Sequence, residues 1–371
     1  GHMVFIHKMG VRFSHGLQRY NKSMELRKNY ICRRPYEFSE IYDKTQFICC
    51  PSWLPEDVKE TGNANKDFHS DLSNKIRNSI EDGSYSYCDS IKCPYLNGLD
   101  NGVVSEAVFL EKNSRQAKQL IDNPEMSIVN LAFDMSCNLA CPSCRSTFIN
   151  YKGENRSMVD MKLDSFINQA GNSVRTLILC GSADPFFSKT YLNFMINFDK
   201  SKFPKLKQIH LHTNANLWTE KVWNKITNVH KYVKSFEISI DAATKHTYES
   251  KVRIGGDWDL LMKNLEFITG IETIKRKRFS FVVQKDNYKE MRAFYDLINS
   301  KYRGDRTKLE ICYIGITDWG SYENEQEFKQ QEIHNPTHPL YEDFKIELEK
   351  IAHLNVDQNF YHIISKPTTL I

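Results

Sequence analysis

Two features are missing from this sequence, and their absence limits the classes of protein to which the chain can belong. No window approaches the roughly 18 consecutive apolar residues that a membrane-spanning helix needs, so we expect no contact with a membrane. No strong charge of one sign is present either, because 50 basic side chains face 46 acidic ones and leave a formal net charge of +4. We therefore do not expect nucleic acid as a partner, since nucleic-acid-binding proteins normally show a concentrated basic face.

One short basic cluster stands out against this balance. Lys275, Arg276, Lys277 and Arg278 are consecutive and precede an apolar run. We interpret them as a solvated edge before a strand, with the binding of a phosphate or an acidic tail as the less favoured alternative.

The sequence also lacks a charged and apolar leader of the kind that directs secretion. It nevertheless contains ten cysteines among its 371 residues, a length that can bury a core without disulfide bonds. We expect a reducing, cytoplasmic compartment in which the cysteines serve as ligands.

Short apolar runs recur along the middle of the chain and predict an α/β fold. The runs are IVNLAF, TLILC, QIHLH, SFEISI, FSFVV and LEICYI, and each is followed by a stretch long enough for a helix. One such stretch places an apolar stripe between a helix start at Asp257 and a helix stop at Gly270. Parallel strands with helical crossovers form either an open doubly wound sheet or a barrel, and both place ligands at the carboxyl ends of the strands.

The segments that follow these runs are small, polar or sulfur-bearing. In chain order they are CNLACPSC, GSADP, TNAN, DAAT, QKDN and GITDWG. Parallel strands would bring all six to one rim of the sheet, where a site would be built. The alternative is that each is an ordinary polar loop.

The texture of the sequence divides the chain into three regions. Residues 4–125 contain five cysteines and a helical pattern of Leu72, Ile76 and Ile80, and we expect a separate small domain there. Residues 126–320 contain the strand and helix repeat. Residues 321–371 form a C-terminal extension with an amphipathic helix whose apolar positions are Leu340, Phe344, Leu348 and Ile351.

The segment CNLACPSC places three cysteines within eight residues, directly after a predicted buried strand. Three thiolates on one loop can bind one face of a metal centre, and thiolates select zinc, copper(I) or iron-sulfur clusters. A structural zinc site requires four closed ligands, whereas an iron-sulfur cubane with three protein ligands leaves one iron open.

Cys137, Cys141 and Cys144 resemble the CxxxCxxC signature of the radical S-adenosylmethionine enzymes. The resemblance implies a partial (βα)6, TIM-like barrel, a 4Fe-4S cluster on the three cysteines, and S-adenosylmethionine bound to the open iron. The product of its cleavage would be a 5'-deoxyadenosyl radical that abstracts a substrate hydrogen. Ser143 departs from the family pattern, which usually has a bulky residue there against the adenine, so the adenine contact must come from elsewhere.

Further segments are similar to this family and imply contacts to the cofactor. CGSADPF is similar to the glycine-rich segment that receives the amino group, which implies roles for Gly181, Ser182 and Asp184. The region beginning SIDAATKHTYESKVRIGGDW is similar to the SPASM and twitch subgroup. There Ser239 and Asp241 would face the ribose and Arg253 the carboxylate. YIGITDWG, with Gly315, is similar to the segment that borders the adenine.

Cys32, Cys49, Cys50, Cys88 and Cys93 form a second set whose spacing does not fit zinc-finger pairs. The set resembles the cysteine framework of SPASM and twitch auxiliary domains, although those usually follow the barrel. The resemblance implies a second 4Fe-4S cluster on Cys32, Cys49, Cys88 and Cys93. Neighbours in a strand point to opposite faces, so we do not expect Cys49 and Cys50 to bind one cluster together. Cys49 is preferred because its spacing from the turn-like DKT segment fits the framework better. A zinc clamp or buried free thiols are the alternatives.

Two further cysteines, Cys180 and Cys312, lie within predicted strands. Buried core thiols are the plainer interpretation of both. The alternative, which we keep for Cys312 as a catalytic residue, is that a thiol facing the barrel returns a hydrogen atom to a substrate radical.

These patterns predict a radical S-adenosylmethionine enzyme that oxidises, epimerises or rearranges a small metabolite or sugar. A peptide-modifying enzyme of the same family is the first alternative, and a zinc-stabilised interaction protein without catalysis is the second. An electron donor such as a flavodoxin or ferredoxin is the expected partner of the enzyme.

Overall fold

The computed structural model describes residues 23–55 and 68–360, which fall into two compact units. Residues 23–39, 45–55 and 68–125 belong to the first unit, and residues 40–44 and 126–360 belong to the second. The beginning of the predicted N-terminal region, residues 4–22, and the end of the predicted extension, residues 361–371, lie outside the described residues.

The first unit combines short strands and helices. Its elements are β1 (Tyr30–Cys32), α1 (Arg34–Glu37), β2 (Phe38–Ile41), β3 (Gln46–Phe47), α2 (Asp71–Glu81), α3 (Pro94–Asp100), β4 (Phe109–Glu111) and α4 (Arg115–Asp122). The last two residues of β2 already belong to the second unit. Strand β1 pairs with β4 in antiparallel fashion. Helix α2 confirms the predicted stripe, because Ile76 and Ile80 are buried, and the hydroxyl of Ser70 caps its first turn.

The second unit is built on a parallel sheet. Its strands are β5 (Ile128–Leu131), β6 (Thr176–Leu179), β7 (Gln208–Thr213), β8 (Val233–Ser239), β9 (Arg276–Val283), β10 (Leu309–Gly315) and β11 (Asp357–Asn359). From β6 to β10 each strand lies beside the strand that precedes it in the chain. A doubly wound sheet requires a reversal of this order. The reversal does not occur among the six strands from β5 to β10, so the doubly wound alternative is wrong.

Helices follow the strands as the repeat predicted. They are α5 (Gly153–Ala170), α6 (Lys189–Ile196), α7 (Glu220–Trp223), α8 (Lys245–Thr247), α9 (Trp258–Thr269), α10 (Met291–Lys301), α11 (Glu325–Gln331) and α12 (Tyr341–Glu349). Helix α9 begins where the sequence indicated, because the Asp257 carboxylate accepts a hydrogen bond from the Leu260 amide at 2.9 Å. Among the described residues no helix combines the length and the apolar character that a bilayer crossing requires.

The two faces of the parallel sheet have opposite chemistry. One face is apolar and belongs to the main hydrophobic core, with Leu131, Leu179, Leu211, Phe236 and Phe281 among its buried residues. The residues that alternate with these are mostly polar, and they form what we call the polar face of the sheet: Asn130, His210, His212, Ser235, Glu237, Ser239, Arg276, Arg278, Ser280, Val282, Glu310, Cys312, Ile314 and Asp357. Hydrogen bonds link its members across strands, for example between His210 and Ser235 at 2.9 Å and between Ser239 and Ser280 at 3.1 Å.

The basic cluster does not form a solvated edge, so that prediction was wrong. Strand β9 begins at Arg276, three residues earlier than the apolar run suggested, and places Lys277 and Arg278 inside the structure. The Arg278 guanidinium donates to Glu310 at 3.0 Å and to Asp357 at 2.7 Å. These partners come from β10 and β11, and their carboxylates neutralise the buried charge.

Candidate functional site

The loop with three cysteines leaves the carboxyl end of β5 and is fixed by backbone hydrogen bonds. The Cys137 amide donates to the Ile149 carbonyl at 2.8 Å, and the Ala140 amide donates to the Ile254 carbonyl at 2.9 Å. The Cys144 amide closes a turn on the Cys141 carbonyl at 2.9 Å. These backbone hydrogen bonds set the conformation of the loop and so the positions of its sulfur atoms.

Each of the three sulfur atoms lies beside a nitrogen donor. Nδ2 of the Asn214 side chain lies 3.8 Å from the Cys137 sulfur. Nη1 of Arg253 lies 3.5 Å from the Cys141 sulfur, and Nη2 of Arg145 lies 3.5 Å from the Cys144 sulfur. Donors of this kind stabilise a thiolate and tune a metal bound to it.

Burial opposes ionisation of two of these cysteines, Cys137 and Cys141. It raises the pKa of Cys137 to about 12, and it also raises the pKa of Cys141 despite the nearby guanidinium of Arg253. A metal centre would supply the positive charge that lets buried thiols ionise. The donor set of three soft sulfur ligands therefore fits an iron-sulfur cluster.

Arg253 and Asp241 form a buried ion pair next to the loop. Nη2 of Arg253 lies 2.6 Å from a carboxylate oxygen of Asp241, whose side chain is 1% exposed. The other Asp241 oxygen accepts from the Val282 amide at 2.7 Å. Nε of Arg253 is buried and has no partner among the described residues. One donor of this guanidinium is thus left for a ligand beside Cys141.

Asp184 links two segments of the site through its hydrogen bonds. Its fully buried carboxylate accepts hydrogen bonds from the Thr213 hydroxyl at 2.6 Å and from the backbone amides of Asn214 and Phe186, both at 3.0 Å. The side chain therefore ties the segment after β6 to the end of β7. It also fixes Asn214, which lies beside the Cys137 sulfur.

The glycine-rich segment is joined to the cysteine loop by a residue that the sequence reasoning missed. Arg145 is buried, and its Nη2 donates to the Ser182 carbonyl at 2.5 Å while its Nη1 donates to the Met135 carbonyl at 2.5 Å. A side chain on Gly181 would clash, because a Cβ there would lie 2.7 Å from Nδ2 of Asn130. The one sequence feature that could have indicated Arg145 is its position directly after the third cysteine, Cys144.

The remaining predicted residues of the second unit lie along the sheet. The Ser239 hydroxyl contacts Nε2 of His212 at 3.0 Å. Cys312 is fully buried on the polar face, and burial raises its thiol pKa. Gly315 packs against the ring of His334, where a Cβ would approach Nε2 to 2.7 Å. Gly315 therefore permits close packing at the end of β10.

An aromatic ring lies near the loop even though Ser143 itself is small and buried. Phe148 is 59% exposed, and its ring covers Gly255, where a Cβ would lie 2.6 Å from the ring. Gly255 has a φ of +89°, a conformation that glycine adopts without strain. Phe148 is a second residue that spacing alone did not indicate.

The second set of cysteines gathers in the first unit around one small cavity. Cys32, Cys49, Cys88 and Cys93 all line it, together with aromatic and aliphatic side chains. Cys50 does not line this cavity. Its sulfur instead lies 3.0 Å from the Ser52 hydroxyl. The four thiols come from the end of β1, the segment before Pro51, the segment after α2 and the residue that caps α3.

A half-buried arginine lines the same cavity as these four thiols. The Arg34 guanidinium lies 4.6 Å from the ring centre of Phe38 and 5.2 Å from that of Trp53. Burial raises the pKa of Cys32 and of Cys93 to about 12. All ten cysteines are free thiols. Among the described residues, no three histidine, cysteine, aspartate or glutamate side chains converge on a point that would hold a single metal ion.

Comparisons with known proteins gave structural likeness only. No family model matches the chain, and no curated protein matches it. Streptococcus suis SuiB bound to precursor peptide SuiA is 14% identical, with 78% of this chain and 62% of that chain covered and a TM-score of 0.43. SuiB bound to S-adenosylmethionine is 14% identical, with 67% and 56% covered and a TM-score of 0.41. This chain thus spans 62% and 56% of the two SuiB chains.

A second protein with a similar structure is TYW1 with a lysine-pyruvate adduct bound. It is 14% identical to this chain, with 61% of this chain and 72% of that chain covered and a TM-score of 0.34.

Proposed function

We propose that the protein is a radical S-adenosylmethionine enzyme whose cysteine loop holds a 4Fe-4S cluster. The observation that carries this proposal is the geometry of Cys137, Cys141 and Cys144. They lie on one backbone-fixed loop, and each has a nitrogen donor beside its sulfur. A fourth protein sulfur is not part of the loop, and a ligand with an amine and a carboxylate would complete the coordination.

The strand order supports the corresponding fold. Six parallel strands in sequential order, joined by right-handed crossovers, place every helix on the same face of the sheet. Such a sheet curls into a barrel, and the residues of the face opposite the helices point into the barrel interior. We infer a partial (βα)6 barrel with the polar face as its interior. We also keep the proposed boundaries at residues 4–125, 126–320 and 321–371.

When bound, the cluster and S-adenosylmethionine would supply the 5'-deoxyadenosyl radical that abstracts a hydrogen from substrate. The chain's own residues bind, orient and exclude water. Arg253 would direct its unpaired Nε to the carboxylate of the cofactor, while Asp241 holds the guanidinium and Ser239 faces the ribose. Gly181, Ser182 and Gly315 would line the cofactor through their backbone, and Asp184 would position the loop.

A second 4Fe-4S cluster is proposed for the first unit, with Cys32, Cys49, Cys88 and Cys93 as ligands. Four thiols around one cavity support it, and the contact of Cys50 with Ser52 supports Cys49 as the ligand. Four protein ligands leave no iron open, so this cluster would carry electrons or support the unit rather than bind cofactor. An electron donor such as a flavodoxin or ferredoxin would reduce the protein in the cytoplasm.

The substrate is proposed to be a small metabolite or sugar, with a peptide as the alternative. The solved complex of SuiB contains a precursor peptide, which keeps the peptide alternative in place. Cys312 is retained as the proposed donor of a hydrogen atom to the substrate radical, since it lies on the polar face of β10. Return of the resulting thiyl radical to the thiol would need one electron from the electron donor and one proton from water.

Anaerobic reconstitution with iron and sulfide tests the proposal. We expect about eight irons and a matching amount of sulfide per chain, with no zinc, for two 4Fe-4S clusters. Addition of S-adenosylmethionine and dithionite should then release 5'-deoxyadenosine. Stoichiometric zinc without sulfide would instead support a zinc-stabilised protein without radical chemistry.

A further inference from the structure

The polar face carries more negative than positive charge. Two guanidiniums, those of Arg276 and Arg278, lie there with three carboxylates, those of Glu237, Glu310 and Asp357. Both arginines contact Glu310, and Arg278 also contacts Asp357. The pairing leaves Glu237 as the carboxylate without a cation of its own.

Glu237 is buried but has no direct partner. It is 8% exposed, and among residues 23–55 and 68–360 no donor lies within hydrogen-bond distance of its carboxylate and no cation within 4.0 Å. In the sheet register it lies between His212 on β7 and Arg278 on β9. A carboxylate removed from water in this way is costly unless something pairs with it.

A second buried acceptor on the same face also lacks a partner. Nδ2 of the Asn130 side chain donates a hydrogen bond to the Glu40 carboxylate at 3.0 Å. The other end of the same side chain, Oδ1 of Asn130, is buried and has no hydrogen-bond partner in the described part of the chain. Glu237 and Oδ1 of Asn130 are thus two acceptors on this face that a ligand donating hydrogen bonds would satisfy.

The polar face is accessible at its carboxyl end. His212, Ser239, Val282 and Ile314 are partly exposed, whereas their neighbours on the apolar face are buried. Ser239 is two residues beyond Glu237 on the same face of β8. A ligand can therefore reach Glu237 from the rim on which the cysteine loop lies.

We propose that Glu237 is the counter-ion for a positively charged group of the substrate, an ammonium or a guanidinium. This inference deepens the proposed function, on which it rests, by naming the chemical class of the substrate. A divalent metal ion is not the ligand we infer, because such ions require several oxygen ligands and Glu237 supplies one carboxylate. An ammonium needs one carboxylate and neighbouring hydrogen-bond acceptors.

The position of Glu237 also sets the depth of the charged group. Asp241 pairs with Arg253 beside the cysteine loop and follows Glu237 by four residues in the sequence. At the rise of an extended strand, four residues span about 13 Å. The cationic end of the substrate would be anchored deep in the interior, so the atoms that react lie nearer the rim. A lysine side chain or an amino sugar has a suitable length.

The test measures binding to the anaerobically reconstituted protein by ligand-observed NMR. The probes are acetyl-Gly-Lys-Gly-amide with its norleucine analogue, and glucosamine with glucose. We expect at least one amine to bind about tenfold or more tightly than its uncharged counterpart, and the amine that binds more tightly identifies a peptide or a sugar as the carrier. The variant Glu237→Gln should lose this preference, and Glu237→Asp should retain part of it.

Equal binding of each amine and its uncharged partner would overturn the inference, and so would an unchanged preference in Glu237→Gln. Because the probe contrast is measured in the wild-type protein, the test stands even if the variant does not fold. Glu220→Gln, at the exposed start of α7, is the matched control and should bind as the wild type does. Iron and sulfide analysis of the same sample reports separately on the proposed function.

Discussion

The two groups of thiols are built from the chain in different ways. Cys137, Cys141 and Cys144 occupy one loop, whose conformation is set by local backbone hydrogen bonds and whose sulfur atoms face polar donors. In the first unit, four thiols from four separate segments line one largely apolar cavity. The first arrangement is local and presents three thiols, whereas the second is assembled by the tertiary fold and presents four.

This difference separates the chemistry that each site can perform. A site with three ligands can accept a further ligand from outside the protein, so it can bind and activate a cofactor. A site with four protein ligands is complete, so its contribution is electron transfer or stability. The comparison also predicts how each site responds to mutation, because removing one ligand affects a different function in each unit.

The largest effect is expected from Cys141→Ala. The loop would lose one of its three sulfur ligands, so we expect about four fewer irons per chain and no 5'-deoxyadenosine above background. The fold should persist, because the loop is not part of the apolar core. The matched control is Cys180→Ala, which removes a fully buried thiol outside the loop and should keep both iron and activity. Wild-type release of 5'-deoxyadenosine by Cys141→Ala would contradict the assignment.

A different loss is expected from Cys88→Ala. The cavity of the first unit would lose one of four ligands, so iron content should again fall by about four per chain. Cleavage of S-adenosylmethionine without substrate should continue, while turnover of substrate should fall. The measurement is 5'-deoxyadenosine release with and without substrate. If iron content and both activities are unchanged, the four thiols are structural.

A smaller effect is expected from Arg253→Lys. Lysine keeps the charge but cannot contact Asp241, Cys141 and a bound carboxylate together, since it lacks the planar fork of a guanidinium. We expect affinity for S-adenosylmethionine, measured by calorimetry, to fall about tenfold with iron content unchanged. Arg34→Lys, at the other site, is the matched control and should leave this affinity as it is.

The smallest effect is expected from Cys50→Ala. Cys50 contacts Ser52 and does not line the cavity with Cys49. Iron content should be unchanged, and the free energy of unfolding should change by less than about 1 kcal/mol. If Cys50→Ala lost iron and Cys49→Ala kept it, Cys50 rather than Cys49 would be the cluster ligand.

Much of the second unit could be predicted from the sequence because its strands are short apolar runs between legible helices. Strands β5 to β10 lie where the runs were placed, and α9 begins at the capping residue Asp257. Helix α10 likewise has a regular apolar stripe, with Met291, Phe294 and Ile298 buried. These signals are local, so one sequence contains them.

Features that depend on distant partners could not be predicted. The position of Ile41 beside β5 depends on a hydrogen bond from the Ala132 amide at 2.8 Å, across 91 positions of the chain. The burial of Arg278 depends on Asp357, which is equally remote in sequence. Arg145, Asn214 and Glu237 carry no motif, and their roles follow from the register and loop contacts of the folded chain.

The central claim is that the loop at Cys137 holds a cluster with one iron open to S-adenosylmethionine. Electron paramagnetic resonance of the reduced, reconstituted Cys88→Ala protein tests it most directly, because the signal of the other site is removed. Addition of S-adenosylmethionine should change the spectrum of the remaining 4Fe-4S cluster, since the cofactor would coordinate its open iron. An identical spectrum with and without S-adenosylmethionine, at full iron occupancy of the loop, would contradict the account.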